Sequence, residues 1–513
     1  MAGPLDYQLV DIDEFGALSI ELNLRGPRER FSLGSRENNK YPAKLHAHKV
    51  KTELGVSSGL IYLPGQRSEQ WEDTDGEAPF RQRRYAFYLS GADFEGATVT
   101  YDIGTDNLIL WVTVRAPERI IWVGALPGIE ECAARFDVDT VRDVKDLGAY
   151  LDDQLDPQKN PPTVYVLHES QRPKTSNSNF SSNKTLQLDT DRLQPAMDVA
   201  RSIKTPYEIM QIRKAVDISS EAHRAVQRSI KTLKNEAEAE NLFLTKCREL
   251  GARQQAYPPI VGSGPNAAVL HYGANNQDFK DRQLMVLDAG AEFNCYASDV
   301  TRTFPLNGSF SAEAKKAYQV VAKMQDTCIS MIRPGASWAK ISTTAREVAY
   351  HGLLDLGIIK KGKLDQLPNM EIVTLFYMHG LGHLVGLDTH DVIGGVSIRS
   401  YAAGHAMKPS AISGFGGKAC SWEDLTPLSA SPLLKDMVIT CEPGLYFNRA
   451  YIEAALTTSP ALEEHINKEV LEKYYSVCGC RIEDCILVTE TGYENLTTAP
   501  KGDEMIKIIN EGA

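Results

Sequence analysis

The sequence predicts an α/β protein of two domains, and three observations support this prediction. The chain has 513 residues, which at ordinary domain sizes corresponds to roughly two to four domains. Strand-like runs, YAFYLSG, ATVTYDI, NLILWVTV and IIWVGA, fill residues 84–124, and residues 141–155 look helical, as in a mixed α/β domain. A capping box, Thr205-Pro206-Tyr207-Glu208, with proline at the first helical position, then opens a second domain.

We therefore place an N-terminal α+β domain with a mixed sheet at residues 1–203, in which residues 1–80 are partly irregular, and a C-terminal domain at residues 204–513. In the second domain, helical patterns continue to about residue 250 and return over 312–331 and 339–356. Strand-like segments alternate with them: LMVLDAG, CYASDVTRTFP, MVITCEPGLYF and GCRIEDCILVTETG. Neither GSGPNA nor GLGHLVG has the GxGxxG spacing, which argues against a nucleotide site.

The composition excludes several classes of protein. Lysine and arginine total 55 against 67 acidic residues, so the net charge is −12, and we expect no nucleic-acid partner. The most apolar window, residues 108–114, is much shorter than the roughly 20 residues of a membrane span. The nine scattered cysteines do not resemble a disulfide framework, and the N-terminus lacks a secretory pattern, so we expect a cytoplasmic protein.

The segment LDAGAEFNCYASDVTRTFP is the strongest chemical signal. If its two halves form a hairpin that turns at Phe293-Asn294, then Asp288 and Asp299 lie directly opposite each other. Such partners have Cβ atoms about 5 Å apart, and two carboxylates at that distance repel unless a cation or a proton lies between them. The pair indicates a metal site, although for two isolated aspartates a turn residue and a helix or loop cap would be the more common explanation.

Three histidines follow within twelve residues, in FYMHGLGHLVGLDTHDV. His379 and His383 have the i, i+4 spacing of zinc proteases, but the HExxH glutamate is missing and the intervening glycines disfavour a helix. We expect one of these two to be a metal ligand. A lone histidine is usually structural, whereas a cluster that includes His390 and neighbouring glycines favours a site.

Two glutamates complete the candidate cluster. Glu442 ends the apolar run MVITCE, and the following Pro443-Gly444 stops the strand, a position where a side chain faces a cleft. Glu483 shares a strand face with Arg481 in GCRIEDCIL, where a buried acid is costly unless it is paired or liganded. An ordinary surface Arg–Glu ladder is the alternative interpretation of that pair.

These motifs together resemble the pita-bread metallopeptidases, in particular the prolidase and aminopeptidase P branch, which cleaves bonds to proline. The similarity runs from about Arg81 to the C-terminus and implies an N-terminal domain of the family's type followed by a C-terminal pita-bread catalytic domain. The family's two substrate-holding histidines match His271 and His390. Its metal ligands match Asp288, Asp299, His383, Glu442 and Glu483.

The resemblance implies a hydrolase in which two divalent ions activate a water against the scissile carbonyl of a peptide or small amide. Four carboxylates and one imidazole suit Mn²⁺, with Co²⁺ or Zn²⁺ as alternatives. Glu442 is the expected general base, and His390 and His271 are expected to bind substrate and stabilise the tetrahedral intermediate. Arg481 is a candidate for substrate binding or for holding a ligand carboxylate, and His379 is a further catalytic candidate. Similar proteins are commonly homodimers, so we expect one here.

The chain departs from the dipeptidase pattern at one place. Family members that cleave X-Pro dipeptides carry an arginine about fourteen residues before the glutamate of EPG, whereas this chain has Lys435 and no arginine between residues 422 and 441. Lysine lacks the bidentate grip of a guanidinium on a carboxylate. Three functions therefore remain open: an X-Pro aminopeptidase or dipeptidase, a dimetal enzyme with a repurposed pocket, and a binding module.

Overall fold

The computed structural model describes residues 40–156, 161–174, 186–360, 372–392 and 432–512. The chain divides into two compact units, Met1–Leu193 and Gln194–Ala513. Helix α6, Leu193–Ser202, begins at this division, whereas the boundary expected from the sequence, between residues 203 and 204, falls after that helix. The expected boundary stays a prediction about independent folding.

The first unit is built on a six-stranded mixed sheet. Its strand order is β4-β3-β2-β1-β5-β6, in which β1, β2 and β3 are antiparallel neighbours and the outer pairs are parallel. Its helices are α1 Ala43–Leu54, α2 Arg84–Tyr88, α3 Pro117–Val123, α4 Ile129–Arg135 and α5 Leu147–Gln154. Its strands are β1 Leu60–Pro64, β2 Thr98–Asp102, β3 Asn107–Val112, β4 Thr140–Asp143, β5 Val164–Tyr165 and β6 Leu188–Asp189.

The mixed sheet was expected, but several short assignments are wrong. The runs YAFYLSG and IIWVGA were expected to be strands, but parts of them belong to helices α2 and α3. Residues 141–143 were expected to be helical, but they belong to strand β4. Apolar runs of five to seven residues do not distinguish a strand from a helix, and Pro117 at the start of α3 favours helix. The stretch expected to be partly irregular contains α1 and β1, while residues 1–39 lie outside the described residues.

The second unit combines long helices with four small antiparallel sheets, ordered β11-β10-β7, β12-β9-β8, β13-β16-β17 and β14-β15. Its helices after α6 are α7 Pro206–Ser229, α8 Glu236–Glu249, α9 Ala312–Ser330, α10 Trp338–Asp355, α11 Arg449–Thr458, α12 Pro460–Glu463, α13 Lys468–Tyr474 and α14 Gly502–Glu511. Its strands are β7 Gln254–Gln255, β8 Ile260–Ser263, β9 Leu284–Asp288, β10 Ala291–Phe293, β11 Tyr296–Ala297, β12 Thr301–Pro305, β13 Val438–Cys441, β14 Gly444–Tyr446, β15 Gly479–Arg481, β16 Asp484–Val488 and β17 Tyr493–Asn495.

The long helices start where polar caps place them. The predicted capping box is present at α7: the Thr205 hydroxyl accepts from the Glu208 backbone N–H, and the Glu208 carboxylate accepts from the Thr205 backbone N–H at 2.8 Å. Serine caps open α9 and α10, within a residue of the predicted starts. Ile212, Val216 and Val226 of α7 are completely buried, and this helix packs against β10 and β11.

The interior of the second unit forms one large apolar cluster that includes the faces of β9, β12, β13 and β16. Eight cysteines of the described ranges are buried and free, in line with the expectation that no disulfide framework is present. Among the described helices, none is both long enough and apolar enough to cross a membrane.

The α7 capping box gives a stability prediction. Thr205→Ala removes the oxygen that accepts from the Glu208 N–H, and we expect it to lower the free energy of unfolding by about 1 kcal/mol. Thr205→Ser keeps that oxygen and serves as the matched control. Urea denaturation followed by circular dichroism measures both variants, and equal midpoints for the alanine and serine variants would contradict the role of the cap.

Candidate metal centre

Asp288 ends β9 and Asp299 lies just before β12, but the two aspartates are not in the predicted register. Asp288, at the end of β9, pairs with Thr301, and the ribbon turns at Asn294-Cys295, one residue later than expected. Both turn residues have positive φ, 48° and 69°, which asparagine adopts more readily than the Phe293 that the predicted turn required. The expectation that Asp288 and Asp299 are directly opposite is therefore wrong.

A tyrosine nevertheless joins these two aspartates. The hydroxyl oxygen of Tyr257 lies 2.6 Å from Oδ1 of Asp288 and 2.6 Å from Oδ1 of Asp299. A phenol has one proton and can donate to only one carboxylate at a time, so the second short separation requires another proton or a nearby cation. Sequence reasoning missed Tyr257 because a single tyrosine between a helix and a strand has no diagnostic spacing.

His383 and Glu442 are brought together by backbone pairing. The segment before and after His383 runs beside β13, with an isolated bridge between Leu384 and Ile439. A Cβ on Gly382 would overlap the carbonyl oxygen of Thr440, so glycine permits this close approach. As a result, His383 Nε2 lies 3.3 Å from Glu442 Oε1 and 3.4 Å from Asp299 Oδ2.

Glu483 closes the cluster from the opposite side. It lies between β15 and β16, is almost fully buried, and accepts a 2.7 Å hydrogen bond from the Thr301 hydroxyl. The next residue, Asp484, is held by Arg302 at 2.7 Å and Lys501 at 2.9 Å. These contacts do not support the interpretation of Glu483 as part of a surface ladder.

The electrostatics of the assembled cluster require positive charge. Burial and the charges of neighbouring acids raise the pKa of Glu483 well above its usual range, and burial together with Asp288 raises the pKa of Asp299. Burial lowers the pKa of His383, but hydrogen bonds to Asp299 and Glu442 outweigh it and raise that pKa to about 10. Without a metal ion, the raised pKa values of Asp299, His383 and Glu483 favour the binding of extra protons at this site.

The donor atoms fit divalent cations. Three overlapping sets each have ligand atoms within 4.8 Å of one another, and their members are Asp288, Asp299 and Glu483; His383, Glu442 and Glu483; and Asp299, His383 and His390. A set dominated by carboxylate oxygens suits hard or borderline divalent metals, which would replace the extra protons. All five ligands expected from the sequence belong to these sets, and His390 joins the third.

Arg481 and Tyr446 connect the cluster to His379. Arg481 donates to Asp288 Oδ2 at 2.6 Å and to the Tyr446 hydroxyl at 2.7 Å. That hydroxyl lies 2.8 Å from His379 Nε2, while His379 Nδ1 is 3.8 Å from Glu442 Oε2. Because Arg481 is buried, its described contacts support a role in holding a ligand carboxylate more than direct substrate binding.

His390 and His271 border the cluster. The ring centroids of His390 and His383 are 4.1 Å apart. The charge of His383 is the largest cause that lowers the pKa of His390 to about 4, followed by burial, and His271 contributes to the same shift. Burial is the largest cause that lowers the pKa of His379, and the charge of His271 lowers it further. His271 therefore lies within electrostatic range of both His379 and His390.

The turn that carries His271 is held by a residue that sequence reasoning missed. Glu236, at the start of α8, is fully buried and its carboxylate accepts five hydrogen bonds from the stretch before and after His271. The donors are the backbone and hydroxyl of Ser263, the Asn266 amide, the Tyr272 hydroxyl and the Gln277 backbone. In the sequence, Glu236 looks like an ordinary acidic residue in the first turn of a helix. Its role in holding the turn that carries His271 is apparent only from the hydrogen bonds of the folded structure.

Lys435, the lysine between residues 422 and 441, pairs with an acid outside the cluster. Its ammonium pairs with Glu490 at 2.6 Å, and both side chains are exposed. Residues 393–431 of the same connection lie outside the described residues. In this geometry Lys435 is not aimed at the acidic cluster.

Comparison with known proteins gives two family matches and many relatives. Residues 210–490 match the model of metallopeptidase family M24, and residues 44–165 match the N-terminal domain of aminopeptidase P. A probable Xaa-Pro aminopeptidase of Metarhizium acridum is 45% identical over 524 residues, covering 99% of this chain and 100% of the relative. One of Pyricularia oryzae is 46% identical over 521 residues, covering 99% and 98%.

Solved structures of an aminopeptidase P are similar to this chain over most of its length. Escherichia coli aminopeptidase P in a low-pH form superposes with a TM-score of 0.73 at 26% identity, covering 92% of this chain and 99% of that chain. A zinc-substituted form of the same enzyme in complex with product matches equally well, with the same score, identity and coverage. The predicted fold class, a mixed-sheet N-terminal domain followed by a pita-bread domain, is confirmed.

The Tyr257 hydroxyl provides a test of the metal centre. Tyr257→Phe removes a group that orients Asp288 and Asp299, and we expect it to weaken divalent-metal affinity about 10- to 100-fold. Competition with a fluorescent chelator measures the affinity. Tyr493→Phe, an exposed tyrosine on β17, is the control. Wild-type affinity in Tyr257→Phe would show that the hydroxyl does not order the ligands.

Proposed function

This chain belongs to metallopeptidase family M24, and we propose that it is a metal-dependent Xaa-Pro aminopeptidase, which removes an amino-terminal residue that precedes proline. The observation that carries the proposal is the buried cluster of four carboxylates and one imidazole, gathered from separate strands and loops. The similarity to probable Xaa-Pro aminopeptidases over nearly the whole chain supports the choice of substrate.

We propose that two divalent ions are held by the five ligands predicted from the sequence, Asp288, Asp299, His383, Glu442 and Glu483. When bound, such ions lower the pKa of a water and polarise a carbonyl. The oxygen-rich donor set favours Mn²⁺. The zinc-substituted form of the bacterial enzyme supports a site that accepts more than one divalent metal.

Glu442 is the proposed general base. Burial raises its pKa, but the hydrogen bond and charge of His383 outweigh burial and lower that pKa to about 2, so the carboxylate is ionised at neutral pH. Its side chain is 18% exposed, which leaves access for a reacting water. It can therefore accept a proton from that water and return it to the leaving proline nitrogen.

The bordering histidines act on the substrate. His390 and His271 can donate hydrogen bonds to the oxygen of the scissile or neighbouring carbonyl and stabilise the charge that develops there. His379 Nε2 lies 2.8 Å from the Tyr446 hydroxyl and His379 Nδ1 lies 2.8 Å from the Gly380 carbonyl oxygen, which fixes the ring 3.8 Å from Glu442 Oε2 and places it where it can act beside the base. These roles are proposals from position and chemistry.

The alternatives have less support. A binding module would not require four mutually repelling carboxylates and an imidazole in one cluster. A dipeptidase needs a cation for the proline carboxylate, and the exposed pairing of Lys435 with Glu490 favours longer peptides instead. We also propose a cytoplasmic location, which the free buried cysteines support, and the homodimer stays a prediction.

Metal and substrate tests separate these functions. We expect the chelated, metal-free protein to be inactive, and Mn²⁺ to restore cleavage of an Ala-Pro-Gly-type peptide but not of an Ala-Ala-Gly peptide. Gly-Pro and Ala-Pro should be cleaved about 10- to 100-fold less efficiently, because Lys435, the lysine between residues 422 and 441, is paired with Glu490 instead of being available to their carboxylate. Mass spectrometry of products and elemental analysis measure both properties. Bound metal without any X-Pro cleavage would indicate a repurposed pocket, and no bound metal a binding module.

Glu442→Gln tests the proposed base. The amide keeps the side-chain shape but cannot take a proton, so we expect kcat to fall about 10²- to 10⁴-fold with the fold intact. Metal content is determined on the same sample, because Glu442 is also a proposed ligand. Glu453→Gln, an exposed acid on α11, is the control. A metal-loaded Glu442→Gln protein with activity near that of the wild type would rule out this mechanism.

A further inference from the structure

A buried ionic triad lies directly behind His390. The next residue, Asp391, has Oδ1 2.7 Å from Arg201 Nη2 and Oδ2 2.7 Å from Lys204 Nζ. All three side chains are at most 2% exposed. Lys204 also donates to the carbonyl oxygen of Arg201 at 2.7 Å, which ties the two cations together. Both cations come from the start of the second unit, far along the chain from the histidines.

Stability alone is a weak explanation for this triad. Removing three charges from water costs several kcal/mol per ion, and well-packed apolar side chains often serve stability equally well. A buried ionic group instead defines one geometry sharply, because any displacement leaves a charge without its partner. The triad is therefore expected to fix the geometry of the chain around Asp391.

The triad closes an irregular loop between two histidines of the site. The loop begins after His383, and the Asp391 backbone N–H returns to the Leu384 carbonyl at 2.8 Å. A Cβ on Gly386 would overlap the Asp391 carboxylate, so this glycine lets the loop pack against the triad. Neither a helix nor a strand covers residues 386–390. Backbone hydrogen bonds hold Gly386 to Ala297 and Asp388, and the triad adds side-chain contacts at the end of the loop.

The same construction occurs at a second site residue. Asp484 directly follows Glu483 and is paired with one arginine, Arg302, and one lysine, Lys501. In both cases the acid after a site residue is fixed by two cations from distant segments. The repetition favours a positioning role over coincidence.

We propose that Arg201 and Lys204 are positioning residues, which fix Asp391 and thereby hold the imidazole of His390 beside His383. The inference rests on the proposed function in one respect, namely that His390 acts on the substrate. It assigns no contact with substrate to the triad itself. Its expected effect is on turnover, because a displacement of a reacting group of about 1 Å can cost a hundredfold in rate.

The experiment compares Lys204→Met in two backgrounds, the full-length wild type and His390→Ala, each loaded with Mn²⁺. In the wild type we expect kcat to fall about 10- to 100-fold with little change in KM. In His390→Ala, we expect the same substitution to change kcat less than about twofold, because the group being positioned is already absent. Metal content should equal that of the wild type throughout.

The neighbouring Thr205→Ala variant controls for general destabilisation of the same junction, and it should leave kcat unchanged in both backgrounds. Equal losses from Lys204→Met in the two backgrounds would overturn the inference, since the triad would then act on the structure as a whole. A wild-type protein that binds metal but cleaves no X-Pro peptide would instead overturn the proposed function.

A crystal structure of metal-loaded Lys204→Met gives a readout that does not depend on activity. We expect the His390 ring to move by more than about 0.5 Å from its place 4.1 Å from the His383 ring. An unmoved ring overturns the inference. If Lys204→Met does not fold, Asp388→Asn removes only the outer partner of Arg201, a side chain that is 40% exposed. It should lower kcat about two- to fivefold in the wild type alone, and equal losses in both backgrounds would count against the inference.

Discussion

The mutual repulsion of four closely placed carboxylates, three of them buried, is the constraint on which the second unit depends. Asp288, Asp299, Glu442 and Glu483 come from different strands and loops, and their proximity is unfavourable unless cations neutralise them. The small antiparallel sheets, the close approach at Gly382 and the bridge between Thr301 and Glu483 all serve to hold these groups together. Divalent ions turn the same repulsion into affinity, so the fold and the metal site stabilise each other.

Fixed protein cations surround this cluster without entering it. Arg481 pairs with Asp288, while Arg302 and Lys501 pair with Asp484 behind Glu483. Arg302 and Lys501 satisfy Asp484, the neighbour of Glu483, whereas Arg481 contacts one oxygen of the proposed ligand Asp288. A cation placed among the ligands would compete with the metal, whereas a cation behind them orients the ligands and keeps their charge available.

The sequence was informative where chemistry requires particular residues at particular spacings. The five proposed ligands and His390, which come from separate motifs, lie close together, and the predicted capping box lies at the start of α7. The direct pairing of Asp288 with Asp299 was wrong because the turn uses Asn294-Cys295, and a shift of one residue changes every partner on a ribbon.

Other features could not be read from the sequence because they depend on distant partners. Tyr257 joins the two aspartates, and Glu236 accepts five hydrogen bonds from the turn that carries His271, yet neither residue has a local pattern. The short runs that became α2 and α3 show the same limit for secondary structure, since packing against the sheet decides their conformation. Parts of the site lie outside helices and strands, and buried polar contacts such as those of Asp391 and Glu236 help to fix their geometry. Such contacts join residues that are far apart in the chain, which is why the catalytic groups are easier to predict than the residues that hold them in place.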